Sequence, residues 1–252
     1  MIQTGWDQYR AGEFRIAIEA FEAAAGASEG TAAHQQALYA LATTWSLRRP
    51  GEDLPRAAQL FEQVIAESPQ SDLAAWSMLA LARMKHLAAP GQPIDRDVVS
   101  TAYQRVIDHF PNHVAAEEAF VYQQSIAVAT LEPADARRAL EKLQAFLRDH
   151  PGTSFASATW GLIAECHRTL IEPGQDLAAR IKALETRQID PLNPLADVSG
   201  TYWNIAVCAE YDVGDLATAR KFYERFLKEY PNDQRSYGAQ VAIARIDRME
   251  HQ

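Results

Sequence analysis

Seven histidines, two cysteines and 33 carboxylates are the side chains through which this chain of 252 residues could do chemistry. His109 and His113 stand four apart, the spacing that would set two imidazoles on one helical face for a metal, with Glu117 a third ligand at the same interval. Pro111 lies between the histidines and disrupts the helix that would align them. Cys166 and His167 place a thiol beside a base, but neighbouring residues of a helix point in different directions. His34 and His150 are isolated in sequence, and His86 falls near a helix end, where its interaction with the helix dipole is reason enough for it.

Carboxylates such as Glu13, Glu19, Glu22, Glu117 and Glu118 are common, yet acid–base work needs them to converge at a defined separation, and their spacing shows no convergence. Glycine-rich phosphate loops, zinc-protease motifs and the nucleophile elbow are absent from the sequence. The expectation is no catalytic residue, no metal site and no cofactor. An all-helical enzyme working through a histidine–carboxylate pocket stands as the alternative.

The elements that would position any site repeat. Counting back from Pro231, the residues Leu227, Phe226, Tyr223 and Ala219 fall at offsets of 4, 5, 8 and 12, one face of a helix whose closest contact is made by the small alanine. Pro69, Pro111, Pro151, Pro191 and Pro231 follow one another at spacings of 42, 40, 40 and 40 residues. Offset 12 holds Ala57, Val99, Ala139, Ala179 and Ala219, and offset 8 holds Phe61, Tyr103, Leu143, Ala183 and Tyr223. Offset 5 holds Val64, Val106, Phe146, Thr186 and Phe226, and a proline-free copy, Ala17, Phe21 and Ala24, lies upstream.

Six copies of a two-helix repeat predict an all-α αα-solenoid, with approximate limits 1–30, 31–70, 71–112, 113–152, 153–192 and 193–232 and a capping helix at 233–250. Such a repeat cannot bury its apolar face alone, so stacking supplies the core and 1–252 is expected to be a single elongated domain. Gly12 should end the first helix through a left-handed residue, and Asp53 and either Asp95 or Asp97 should cap later ones. The return helix of the fifth repeat is the poorest copy, with Ala183, Thr186 and Arg187 where others carry larger apolar groups. In the last helix, Tyr237, Val241, Ala244 and Ile246 are expected to cover the end of the stack, leaving Arg245, Arg248 and Glu250 in water.

Bulk numbers narrow the function. With 24 basic and 33 acidic residues the net charge is -9, which argues against non-specific binding to nucleic acid or to an anionic membrane. Cys166 and Cys208 are too few for a disulfide scaffold and read as buried thiols. No apolar run is long enough to span a membrane, so no direct membrane insertion is expected. The start of the chain carries no signal-peptide pattern, and the first repeat opens almost inside its first helix, which leaves missing upstream sequence open as an explanation. A cytoplasmic or a periplasmic, envelope-associated location are both compatible.

The small–large–small–proline frame of Ala219, Tyr223, Phe226 and Pro231 resembles the tetratricopeptide repeat (TPR). Trp203 matches that family's first-helix tryptophan and Gly214 its inter-helix glycine, while Gly12, Phe14, Ala17 and Phe21 match in the first repeat. The departure is length, about 40 residues against 34, with the surplus near Pro50-Gly51, Pro90-Gly91 and Pro173-Gly174. Phe110 to Asn112 and Tyr230 to Asn232 resemble the repeat ends of bacterial envelope-assembly TPR proteins.

The resemblance implies a right-handed solenoid that binds a protein or peptide on a concave surface built chiefly from first helices. Its candidates here are Gln35, Tyr39, Thr43, Asp72, Arg83, Glu117, Tyr122, Gln124, Glu165, Arg168, Asn204 and Glu210. A scaffold or adaptor follows, with a structural spacer in a larger assembly as a further alternative.

Overall fold

The computed structural model describes residues 1–47, 51–87, 93–188 and 197–250. Among these the chain is helical, without strands, and apart from one π-helical turn at Cys208–Val213 the helices are α: α1 (Ile2–Arg10), α2 (Phe14–Ala27), α3 (Ala32–Leu47), α4 (Leu54–Glu67), α5 (Asp72–His86), α6 (Arg96–His109) and α7 (Val114–Val128) come first. Then follow α8 (Pro133–Asp149), α9 (Ala156–Thr169), α10 (Pro173–Glu185), α11 (Ser199–Val207), α12 (Leu216–Glu229) and α13 (Ser236–Glu250). The chain divides within α7 into two compact units, Met1–Gln123 and Gln124–Gln252.

In the N-terminal unit each helix from α1 to α6 packs on the next, and the first helices α1, α3 and α5 also touch in order. The repeat frame explains this layering. Ala17, Ala57 and Val99 lie at the closest approach and are buried, with Phe21, Phe61 and Tyr103 filling the space one turn on. Helix starts are set by side-chain caps: Asp53 accepts from the Arg56 amide at 3.0 Å, Ser71 from that of Ala74 at 3.1 Å, and Asp95, rather than Asp97, from that of Val98 at 3.1 Å.

In the C-terminal unit α8 packs on α9, α9 on α10, α10 on α11, α11 on α12 and α12 on α13. Ala139, Ala179 and Ala219 are again buried, as are Leu143, Phe146, Tyr223 and Phe226. The fifth repeat is the thin one: α10 stops at Glu185, short of Thr186, and its core is Leu177 and Ala179 beside a buried Asp176. Pro173 and Gly174 do not form a connector, because Pro173 sits in the first turn of α10, where its fixed φ suits a helix and its missing N–H costs nothing. The connectors expected around Pro50, Pro90-Gly91 and Pro191 lie outside the described residues.

Among the described residues, four helix pairs turn through one left-handed residue immediately before the N-cap of the return helix. Two use glycine, Gly12 (φ 81°) and Gly214 (φ 78°), and two use Leu131 (φ 59°) and Ile171 (φ 60°). At Ile171 the following amide of Glu172 donates to the His167 carbonyl at 2.9 Å, as that of Glu13 donates to Gln8 at 2.9 Å, the Schellman pattern that glycine usually serves. A Cβ in that conformation costs roughly 1–2 kcal/mol, and a β-branched side chain is the least suited to it.

The last helix buries Ile246 as expected, but not Tyr237, Val241 or Ala244. Ala239, Ala242 and Ile246 face the core, whereas Tyr237 and Val241 are exposed. The cause is close approach: a Cβ on Gly238 would fall 3.0 Å from the Trp203 ring, so small residues turn inward and the larger ones are displaced outward. Arg245 stays partly in water while its guanidinium meets the buried Glu210.

Candidate functional site

The first helices of the N-terminal unit gather most of its expected contact residues. On α3, Tyr39 packs edge-on against Phe61 (ring centroids 5.7 Å apart) and is hydrogen-bonded to Thr43; burial raises its pKa, while Arg83 and Asp72 act on it in opposite senses. On α5, Asp72 binds His113 Nε2 at 2.6 Å and Arg83 pairs with Glu118 of α7. The Arg83 guanidinium also lies 5.2 Å from the ring centroid of Tyr122, which stacks on the buried Tyr103 at 5.7 Å. Tyr39, Thr43, Asp72, Arg83 and Tyr122 thus form one polar and aromatic neighbourhood. Gln35 is turned elsewhere and donates to the Ser68 hydroxyl. Glu117 is half-buried on α7.

His86 completes this cluster and was not singled out as a contact by sequence. Its Nδ1 lies 3.0 Å from the Tyr103 hydroxyl, and its ring meets Tyr122 edge-on. Burial lowers its pKa, so it is held as the neutral imidazole.

In the C-terminal unit α9, α10 and α11 enclose an open cleft of about 180 Å³ lined by Gly161, Ala164, Glu165, Arg180, Ala183, Thr201, Asn204 and Ile205. The small residues make the space: Gly161, Ala164 and Ala183 leave room where longer side chains would close the helices together. Arg180 is fixed at the cleft by Asp176, which accepts from its Nε at 2.7 Å and its Nη2 at 3.1 Å, and Glu165 lies 3.8 Å away. Burial alone would lower the Arg180 pKa, but the hydrogen bond and charge of Asp176 hold it above the usual value, so it stays a cation. Glu165 also pairs with Arg168.

Asn204 is exposed at this cleft, and Thr201 half-buried; among the described residues neither side chain has a hydrogen-bond partner. Glu165 and Asn204 are therefore brought together with Arg180 and Thr201, which sequence reasoning passed over. The signal for Arg180 was its i,i+4 spacing from Asp176, which fixes a guanidinium on a helix face.

Two candidates expected at the surface lie inside. Gln124 is 3% exposed and Glu210 is 8% exposed. Glu210 accepts from the Tyr223 hydroxyl at 2.9 Å and from Arg245 at 2.8 Å (Nε) and 2.5 Å (Nη2), fastening the wide turn after α11 to α13. A carboxylate so placed needs all three donors, and none was visible from its own stretch of chain.

The residues with chemical potential are otherwise occupied. Cys166 and Cys208 are buried free thiols, each pushed by burial up to about 11, away from the thiolate a nucleophile requires. His167 is buried and binds Glu172 Oε2 at 2.7 Å across the α9–α10 turn. His109 packs on Phe110 while His113 goes to Asp72, so the two do not share a site. Among the described residues no three His, Cys, Asp or Glu side chains come close enough to hold a metal ion. Nor is any described helix long and apolar enough to cross a membrane.

A family model described as tetratricopeptide repeat matches residues 201–233, the helix pair that carries Trp203, Gly214 and Pro231. No curated protein matches the chain. The match makes that pair a TPR-like repeat, and the pairs α1–α2, α3–α4 and α5–α6 bury the same small and large positions.

Proposed function

We propose that this protein is a non-catalytic scaffold or adaptor that holds a segment of another protein along its first helices. The observation that carries the reading is the cleft between α9 and α11. There the unpartnered amide of Asn204 and hydroxyl of Thr201 stand above a floor of small residues and a fixed guanidinium. A side-chain amide can donate to a carbonyl and accept from an N–H of an extended chain. The space opened by Gly161, Ala164 and Ala183 takes a small side chain between them. Recognition is then an equilibrium on a preformed surface, with no covalent step.

The Tyr39, Thr43, Asp72, Arg83 and Tyr122 neighbourhood of the N-terminal unit supports the same reading. Aromatic and arginine side chains placed in a polar surround are what anchors of protein interfaces are made of. The Phe110 to Asn112 and Tyr230 to Asn232 repeat ends make a component of a larger bacterial assembly the first class of partner to seek.

A photo-crosslinking amino acid tests the assignment. Placed at position 204 it should capture a discrete partner from the native host, whereas at Glu224, exposed on the return helix α12, it should not. Equal capture from both positions, or from Glu224 alone, would remove the inner face from the account.

A further inference from the structure

The C-terminal unit carries a second cleft between α8 and α9, of about 290 Å³, lined by Gln144, Leu147, Arg148 and Trp160. It is distinct from the inner cleft. Trp160 and Gly161 are successive on α9 and therefore point about 100° apart, so the two openings lie on different sides of that helix. On α8, Gln144, Leu147 and Arg148 occupy i, i+3 and i+4 and share one face.

Trp160 differs from the other tryptophans. Trp6 packs on Tyr9 and Phe21, Trp45 under Arg56, Trp76 on His113 and Trp203 on Tyr223 and Phe226. Of the five tryptophans, Trp160 alone has no aromatic or cationic partner among the described residues, and its side chain lines the open cleft. Arg148 beside it makes no ion pair and no hydrogen bond among the described residues, and neither does the carboxamide of Gln144. By contrast Arg138, Arg168, Arg180, Arg225, Arg235 and Arg245 of the same unit are all paired with carboxylates.

We infer that this cleft is a docking site for a segment of a partner protein that presents an aromatic side chain next to a carboxylate. A cavity of roughly 150 Å³ holds a benzene ring, so the cleft takes one aromatic side chain against the Trp160 indole and Leu147. The free guanidinium of Arg148 then meets a neighbouring acidic group, and Gln144 meets the segment's backbone. Charge complementarity selects this occupant over a basic segment, which Arg148 would repel. The site stands independently of the inner-face reading, since none of its residues lines the first cleft.

The test uses the full chain and short synthetic peptides, followed through the tryptophan indole N–H resonances. A peptide with phenylalanine flanked by aspartates should shift the Trp160 signal saturably and leave those of Trp76 and Trp203 in place. Arg148→Gln, an exposed change, should weaken that binding about tenfold without altering the melting temperature. Trp160→Ala should abolish it. The same peptide with lysines for aspartates, or with alanine for phenylalanine, should bind at least tenfold more weakly. Equal affinity for the lysine peptide, equal affinity for free phenylacetate, shifts spread over all the indoles, or no binding at millimolar peptide would each overturn the proposal.

Discussion

Gly5 of α1 lies so close to Phe21 of α2 that a Cβ would fall 2.7 Å from Cδ1 and 2.9 Å from Cζ of the ring. Phe21 is the large residue of the first repeat frame and is fully buried, so it has nowhere to retreat. Helix propensity alone would make Gly5→Ala stabilising by about 1 kcal/mol. Overpacking reverses the sign, and the substitution should destabilise by about 1–3 kcal/mol, read as a lower denaturant midpoint. A raised midpoint would show that α1 does not pack this tightly.

The left-handed turns give an opposite expectation. Leu131 is 63% exposed and Ile171 is 87% exposed, so neither recovers in burial what its backbone conformation costs. Leu131→Gly and Ile171→Gly should each stabilise the protein by about 1 kcal/mol, raising the melting temperature by roughly 2–4 °C for a chain of this size. A fall in melting temperature for both would mean that these turns are not strained.

Acid should act in two stages. His86 has its pKa lowered by burial, so below the unfolded value of about 6.5 the unfolded chain binds more protons, and the stability it contributes is lost as pH falls from there. The hydrogen bond from Arg235 holds the Asp233 pKa well down, and the hydrogen bonds from Thr218 lower that of Asp215. Their contribution is present above about pH 4 and disappears as pH falls through the folded values. Thermal melts at pH 7.5, 5.5 and 3.5 should decline in sequence, and His86→Gln should flatten the first step while leaving the second. An unchanged first step would show that His86 is not held neutral.

Much of the architecture was written in the chain. Alanine or valine twelve residues before a proline, with an aromatic or leucine four later, marks where helices touch, because only a small residue permits the approach. Asp53, Gly12 and Gly214 announced their turns by residue type. Leu131 and Ile171 could not, since neither side chain signals a left-handed backbone. On α13 Ile246 was legible as core, but Tyr237 and Val241 were misjudged because large apolar residues were taken to turn inward, whereas the small Gly238 and Ala239 lie on that side, Gly238 against Trp203. Glu210 looked like surface because Arg245, which neutralises it, lies 35 residues further along. Glu165 and Asn204, two of the expected surface residues, line the cleft between α9 and α11, but Arg180, which reaches it from a return helix, was not expected there.

The most direct test of the inner face combines two substitutions at that cleft with one captured partner. Asn204→Ala removes an exposed amide that has no partner among the described residues, and should leave the melting temperature unchanged. Gly161→Ala meets no atom within 4 Å, so it should stabilise α9 by about 1 kcal/mol while narrowing the cleft. The account predicts that each variant, though as stable as the parent or more so, binds the partner at least tenfold more weakly by calorimetry. Affinity unchanged in both would contradict it.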